Sequence, residues 1–293
     1  MSSYRFCRTD DVSLLVDALN RCWSPYFPDE PAITPATFKR SIRDLQVWCS
    51  SCMVAFAGAD PIAVLIGAKR PAGTLIYKIA VHPDHLRQGH GRHLLTSLSS
   101  KLAILGPPRM VAEVPETFGP ARALFSACGY VEEARLIDYV LEVDDGPVEP
   151  TGMMVIPVTI DDLNANDLLG DRPPSPSPSA SAGQVHPSTC WERSVETLVA
   201  RKDDIEGVAL ASDESIEAFV LYLQDGELLS LRSFVEDGGA RLKELLSQLR
   251  ARGIRTFRLP KVHPAEISAA LMEGLGFRPA GGHALYTGRA RSE

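Results

Sequence analysis

The chain has 293 residues, 45% apolar and 23% charged, which is typical of a core-forming protein of about two domains. Its net charge is −7, whereas proteins that bind nucleic acid usually carry an excess of basic residues, so we predict no nucleic-acid partner. Apolar runs are short and the first ten residues do not resemble a secretory signal, so we expect no membrane partner and a cytoplasmic location. Six cysteines in a chain of this length predict reduced thiols.

The first half of the chain alternates strand and helix patterns, which predicts a mixed α/β sheet with helices packed against it. Apolar alternation and short apolar runs predict strands at 4–7, 54–57, 62–68, 75–81, 110–114 and 136–143. Helical spacing of apolar residues predicts helices at 12–19, 91–105 and 121–128.

The second half repeats part of this order. It predicts strands at 208–211, 218–224, 228–234 and 255–259, and helices at 240–252 and 264–275. Each half therefore contains a helix, a strand and a second helix that ends at Gly-aromatic, Gly129-Tyr130 in one case and Gly276-Phe277 in the other. We interpret this as an internal duplication.

Two segments differ in composition from the rest of the chain. Acidic, glycine and proline residues at 144–150 follow a predicted strand, which places the domain boundary between residues 145 and 146 and gives domains 1–145 and 146–293. The segment 171–187 combines proline, serine and alanine and predicts a loop inside the second domain.

The stretch from Ile79 to Leu95 runs from strand through loop to helix and contains a Gly-x-Gly at its centre. Two glycines ahead of a helix let successive backbone N–H groups point into one concavity, at the positive end of the helix dipole. A pyrophosphate suits that concavity, and Arg87 and Arg92 add positive charge at its rim. Taken alone, the same pattern also fits a tight turn into a surface helix.

The run VHPDHLRQGHGRHLL at 81–95 resembles the acyl-CoA-binding segment of the GNAT superfamily of N-acyltransferases. The run ARALFSACGY at 121–130 is similar to that family's later helix, and the resemblance in element order covers residues 3–143. It implies an α/β (α+β) chain of two GNAT-like domains, each a mixed, mostly antiparallel sheet flanked by helices. It also implies acetyl-CoA or another acyl-CoA as co-substrate, no metal, and a small-molecule or peptide amine as acceptor.

The resemblance also implies a role for individual residues. Backbone groups of Ile79, Ala80 and Val81 would pair with the pantetheine arm as an added strand does. The loop residues would bind the pyrophosphate, namely Arg87, Gln88, Gly89, His90, Gly91 and Arg92. A backbone N–H near Val81 would stabilise the oxyanion while a neutral amine attacks directly, without an acyl-enzyme.

Two positions depart from the family pattern. Leu86 stands where the family often has Arg or Gln, and Phe125 stands where it often has the tyrosine that protonates the leaving thiolate. Glu113, on the strand after the loop helix, is the candidate base, with a solvated strand-edge carboxylate as the alternative; Glu116 has the same two interpretations. Tyr77 is the candidate proton donor, although strand alternation gives it the face of Ile79 and Val81 and hence a core role.

Other chemistry-bearing residues have simpler interpretations. The histidines at 82, 85, 90 and 93 crowd the loop but are explained as neighbours of a phosphate site. Cys49 and Cys52 form a C-x-x-C without a second pair, which we interpret as two unrelated thiols, and Cys128 as a small buried thiol. The aromatic segment 23–28 is the candidate acceptor site, with packing against the second domain as the alternative.

The second domain resembles a degenerate copy. Its loop at the equivalent position contains Glu236 and Asp237, whose charges would repel a pyrophosphate. The leading hypothesis is thus an N-acyltransferase with its active site in the N-terminal domain. The alternatives are a catalytically weak or inactive acyl-CoA-binding or regulatory protein and a two-domain interaction scaffold, and the oligomeric state stays open.

Overall fold

The computed structural model describes residues 2–142, 154–170, 190–213 and 215–291. Its chain divides into two compact units, one formed by Met1–Ala134 with Ala284–Glu293 and the other by Arg135–His283. The predicted boundary between residues 145 and 146 and the predicted loop at 171–187 lie outside the described residues.

The first unit contains most of the predicted elements of the first half. Its helices are α1 (Val12–Cys22), α2 (Pro35–Leu45), α3 (His90–Leu105) and α4 (Gly119–Ala127). Its strands are β1 (Ser2–Phe6), β2 (Met53–Ala57), β3 (Asp60–Arg70), β4 (Gly73–Val81), β5 (Arg109–Pro115), the start of β6 (Val131–Glu142) and the end of β12 (Arg278–Arg289).

The sheet of the first unit is mixed. Its strand order is β1-β2-β3-β4-β5-β12, with antiparallel pairs from β1 to β4 and a parallel pair between β4 and β5. Helix α3 packs on it through Leu94, Leu95 and Leu98, which are at most 1% exposed. Because each buried leucine contributes roughly 1.5–3 kcal/mol, this apolar face fixes α3 on the sheet and thereby the loop that precedes it.

The second unit has an antiparallel sheet and two apolar cores. Its remaining elements are β7 (Val155–Pro157), α5 (Ile160–Ala165), α6 (Val195–Ala200), β8 (Glu206–Ala211), β9 (Ile216–Tyr222), β10 (Leu228–Ser233), α7 (Ala240–Ala251), β11 (Thr256–Val262) and α8 (Ala269–Gly274). The order of its sheet is β10-β9-β8-β7, and β6 pairs with β11 antiparallel. The predicted α/β fold class is confirmed.

The duplication is visible in the strand pairing. In the first unit a parallel contact joins Thr74 to Met110, and in the second a parallel bridge joins Glu227 to Arg258. In each unit the strand that makes this contact contains a bulge in its antiparallel pairing, and the helix that follows it starts after a left-handed glycine.

Two predictions at the chain's C-terminal end were wrong. The helix predicted at 264–275 is shorter, because the Ser268 side chain accepts a hydrogen bond from the Leu271 N–H and starts α8 only at Ala269. Strand β12 was missed entirely, because its proline and three glycines hide its alternation. No helix in the described part of the chain is both long and apolar enough to cross a membrane.

Candidate functional site

A cleft opens between β4 and β5. These parallel strands pair only at Thr74–Met110 and Leu75–Val111, yet β4 continues to Val81 and β5 to Pro115. The separation starts beside a bulge in β4, where Ile76 and Lys78 face successive residues of β3 and Tyr77 is the extra residue. A bulge bends its strand, so β4 turns away from β5 beyond this point and leaves an unpaired edge.

The register of β3 and β4 decides which backbone groups line that edge. The His82 N–H donates to the Ile62 carbonyl at 2.8 Å, and Ala80 lies opposite Val64. Since backbone groups alternate along an antiparallel strand, those of Ala80 face β3, whereas those of Ile79 and Val81 face the cleft. Ile79 and Val81 therefore direct their backbone groups into the cleft, and Ala80 does not.

One cleft-facing group already has a partner. The Tyr26 hydroxyl donates a 2.6 Å hydrogen bond to the Val81 carbonyl, from the turn that follows α1. Burial raises the pKa of this phenol, so it holds its proton at neutral pH. Sequence reasoning placed Tyr26 in the acceptor segment but missed this contact, which depends on tertiary structure.

The loop before α3 presents unpaired N–H groups. Arg87 (φ +61°) and Gly89 (φ +87°) are left-handed, and the first helical bond runs from the His93 N–H to the Gly89 carbonyl. Within the described part of the chain, the N–H groups of residues 87–92 have no acceptor and no side chain caps the helix. Together with the dipole of the 16-residue α3, they form an anion site, which we call the donor nest.

The two glycines of the donor nest have different tasks. A Cβ on Gly89 would meet nothing within 4 Å, so this glycine is required by its positive φ. A Cβ on Gly91 would lie 3.0 Å from Leu124 of α4 and 3.7 Å from Val81 of β4. Gly91 therefore lets α3 begin close to α4 and to the end of the cleft.

His90 is held beneath the donor nest. It is only 4% exposed, and its Nδ1 lies 2.6 Å from the Tyr4 hydroxyl of β1, while Nε2 has no partner among the described residues. Burial, then the neighbouring His85 and His93, lower the His90 pKa. A neutral His90 suits the positive end of a helix, and its side chain anchors the loop to the sheet.

The equivalent nest in the second unit is filled. Gly239 (φ +86°) precedes α7 as Gly89 precedes α3. The Asp237 carboxylate accepts hydrogen bonds from the N–H groups of Gly239 and Arg241, at 2.9 and 3.0 Å. Burial raises the pKa of Asp237, but these bonds and the Arg241 guanidinium lower it by more. The ionised Asp237 carboxylate therefore fills the nest of the second unit itself.

The predicted catalytic residues lie on both sides of the cleft. Glu113 is half-buried on β5, between Ala112 and Val114, which belong to the core under α3. Strand alternation directs its side chain to the other face of the sheet. Tyr77 is half-buried at the bulge, outside that core, and the Lys78 ammonium lies 5.4 Å from its ring centroid. The predicted shared face with Ile79 and Val81 was wrong, because the bulge breaks the alternation.

Phe125 has no access to the cleft. It is 2% exposed and packs in the core, where its ring stacks on Tyr286 of β12 at 5.7 Å and meets Tyr130 edge-on at 5.2 Å. The ring that stands at the place of the family tyrosine thus lies inside an aromatic stack of the first unit.

The predicted acceptor segment forms an aromatic wall near the end of β4. Phe27 stacks on Trp23 at 4.4 Å and on Phe118, which precedes α4, at 5.0 Å. The Lys78 ammonium lies 3.8 Å from the centroid of the Trp23 ring. This wall and the Tyr26 contact bring the segment to the unpaired edge of β4.

None of the six cysteines, all of which lie in the described part of the chain, forms a disulfide. Cys49 and Cys52 are both buried. Burial raises the pKa of Cys7 to about 12 and that of Cys22 to about 11. Cys128 is half-buried, and burial raises its pKa as well. High thiol pKa values are typical of inert structural cysteines.

Comparison with known proteins adds a matching family model for part of the chain and a fold for the whole. Residues 13–130 match the model of the acetyltransferase (GNAT) family. No match was found among curated protein sequences.

Solved structures resemble the whole chain. A GCN5-related N-acetyltransferase from Sphaerobacter thermophilus has a TM-score of 0.67 at 14% identity, over 99% of this chain and 96% of that one. A tandem GNAT protein from the clavulanic acid biosynthesis pathway has a TM-score of 0.64 at 17% identity, over 100% of both chains. A GCN5-related N-acetyltransferase from Anabaena variabilis has a TM-score of 0.59 at 11% identity, over 99% of this chain and 73% of that one. At these identities the likeness shows the fold, which is that of two GNAT-like domains in one chain.

Proposed function

We propose that the first unit, in which residues 13–130 match the model of the acetyltransferase (GNAT) family, transfers an acyl group, in the first instance acetyl, from acyl-CoA to an amine. The observation that carries the proposal is the donor nest, whose N–H groups stand free at the end of an unpaired strand edge. This combination fits a ligand with a diphosphate at one end and a slender amide-containing arm at the other.

The chain's residues fit such a donor in two places. The backbone groups of Ile79 and Val81 bind the amides of the pantetheine arm, which lies along β4 as an added strand. The N–H groups of Gln88 to Arg92 bind the pyrophosphate, with Arg87 and Arg92 at the rim. Ala80 takes part only by pairing with β3 and holding its neighbours in place.

The reaction requires modest help from side chains. The amine nitrogen forms a bond to the thioester carbonyl carbon, the carbon–sulfur bond breaks, and the thiolate takes a proton. Glu113 accepts one proton of the incoming ammonium, directly or through water, and a backbone N–H near Val81 donates to the oxyanion. Tyr77 donates a proton to sulfur and is reprotonated by the second proton that the nitrogen loses as the amide forms. Each step uses groups on β4 or β5, the two strands that border the cleft.

The acceptor enters from the aromatic wall of Trp23, Phe27 and Phe118. Aromatic faces contact a cation favourably, as the Lys78 ammonium over Trp23 illustrates. A small molecule or peptide that carries an amine suits this entrance. The cytoplasmic location remains a prediction of the sequence.

A charge swap at Arg87 tests the donor site. Arg87 lies two residues before the left-handed Gly89, as Asp237 lies two residues before Gly239. We expect Arg87→Asp to place a carboxylate in the donor nest and to weaken acetyl-CoA binding at least tenfold in calorimetry, whereas Arg87→Gln weakens it only a few fold. Equal affinity in the wild type and Arg87→Asp would contradict the proposed donor site.

Turnover is tested separately by thiol release from acetyl-CoA with a panel of amines. The position of Phe125 in the core favours the alternative of an acyl-CoA-binding regulatory protein, because its side chain has no acidic proton to donate and does not line the cleft. Tight CoA binding without acylation of any amine in a broad panel would replace the enzymatic proposal by that alternative.

A further inference from the structure

A second basic surface lies beside the donor nest. A groove of about 370 Å³ runs between α3, the end of α4 and the end of β12, and its charged lining residues are Arg92, Arg289 and Arg291, without an acidic residue. Within the described part of the chain, none of these three guanidinium groups has an ion-pair or hydrogen-bond partner. Unpaired arginines that share one groove are suited to an anion with several oxygen acceptors.

Four contacts fix the segment that carries two of the arginines, at the end of β12 and just beyond it. Tyr286 stacks on Phe125 in the core, and a Cβ on Gly288 would meet the Tyr130 ring at 3.0 Å, so the backbone lies flat on that ring. Beyond it, the Ala290 N–H donates to the Pro108 carbonyl at 2.7 Å and the Arg291 N–H to the Ser99 hydroxyl at 3.0 Å. The backbone is therefore held while the guanidinium groups stay free.

The position of the groove relates it to the donor. Arg92 belongs both to the donor nest and to the groove, and the opposite end of the α3 wall is Ser99. Seven helical residues correspond to about 10 Å. If a diphosphate binds in the donor nest, the groove offers a further anion site at a distance that one nucleoside can span.

We propose that this groove binds the ribose 3′-phosphate of coenzyme A, through Arg289 and Arg291 together with Arg92. This assignment rests on the proposed function. CoA carries this third phosphate as a dianionic monoester, and arginine binds such groups through two parallel hydrogen bonds. It makes the last residues of the chain part of the donor site of the first unit, to which they belong.

The groove on the other flank of α3 suits an anion less well. It contains Arg92, His93 and Lys101, but the Lys101 ammonium already contacts the Ser50 carbonyl and lies 4.0 Å from the centroid of the Phe6 ring. Burial lowers the pKa of this lysine. Its charge is therefore less available than the free guanidinium groups of the β12 end.

The test compares CoA with 3′-dephospho-CoA in calorimetry on the full chain. We expect the wild type to bind CoA at least tenfold more tightly than dephospho-CoA. The variant Arg289→Gln/Arg291→Gln should bind both with the affinity that the wild type has for dephospho-CoA. The control is Arg8→Gln/Arg40→Gln, which removes the same charge from exposed residues in the loop after β1 and on α2. It should keep the wild-type preference for CoA over dephospho-CoA.

The outcomes separate the two proposals. Equal binding of CoA and dephospho-CoA by the wild type, or an equal loss of both in the Arg289/Arg291 variant, would overturn the groove assignment and leave the donor nest intact. Failure of the wild type to bind either ligand would overturn the proposed function, and this assignment with it.

Discussion

The Asp237 carboxylate accepts two hydrogen bonds from Arg241, one from its backbone N–H at 3.0 Å and one from its guanidinium at 2.9 Å. The helix start of the second unit is thereby satisfied by the protein's own charge, whereas we propose a diphosphate for the equivalent helix start of the first. We expect one acetyl-CoA per chain in calorimetry, and at least tenfold weaker binding in Arg87→Asp. A stoichiometry of two would show that Asp237 gives way to a ligand.

The Tyr26 hydroxyl already occupies the Val81 carbonyl, to which we propose that the pantetheine arm binds. A pantetheine amide can pair with this carbonyl only after the phenol has left, which costs about 1 kcal/mol for one hydrogen bond. Tyr26→Phe should therefore bind CoA about fivefold more tightly, as measured by calorimetry. Tyr77→Phe, which keeps the Tyr26 contact, serves as the control. Weaker CoA binding in Tyr26→Phe would instead make the hydroxyl a supporting group of the site.

The buried His90 predicts a loss of stability at mildly acidic pH. Its pKa in the folded protein lies below the ordinary value of 6.5, so the unfolded chain takes up a proton more readily. The contribution of His90 to the free energy of unfolding is therefore fully present above pH 6.5 and is lost as the pH drops toward the lowered pKa. Urea unfolding between pH 7 and pH 5 should show this slope, and His90→Gln should flatten it. An unchanged slope in the variant would exclude His90 as the cause.

Restoring the family's tyrosine should not restore its chemistry. In Phe125→Tyr the new hydroxyl would be buried among Tyr286, Tyr130 and apolar side chains. An unpaired buried hydroxyl costs about 1–3 kcal/mol. We expect a lower free energy of unfolding and no gain in kcat, with Phe56→Tyr at a half-buried position of β2 as the control. A higher kcat would indicate that this ring reaches the cleft.

The second unit contains a buried ion pair that should dominate its stability. The Arg193 side chain is 1% exposed and makes two bonds to the Glu266 carboxylate, at 2.6 and 2.7 Å. Glu266→Gln leaves a buried, uncompensated guanidinium and should cost about 3–5 kcal/mol in urea unfolding. The more exposed pair of Arg241 and Glu217 gives the matched control, since Glu217→Gln should cost less than about 1 kcal/mol.

Much of the first unit was predictable because its signals are local. The leucine spacing of α3, the Gly-x-Gly before it and the apolar strands around it follow short-range rules, and these elements lie within a few residues of their predicted bounds. The donor nest follows from the same rules, since a left-handed glycine before a helix needs no distant partner.

What escaped prediction depends on register and on distant contacts. The bulge at Tyr77 shifts side chains between faces although the sequence around it alternates smoothly. The Tyr26 contact joins residues 55 positions apart, and the Tyr4–His90 contact joins residues 86 positions apart. Strand β12 belongs to both units, which a search for consecutive domains cannot anticipate.

The participation of residues 284–291 in the first unit has a consequence for biosynthesis. Domains usually fold from the N-terminus while the ribosome is still translating, but here Phe125 meets its stacking partner Tyr286 only after residue 286 has been synthesised. A nascent chain released before Ala284 therefore lacks part of the core of its first unit.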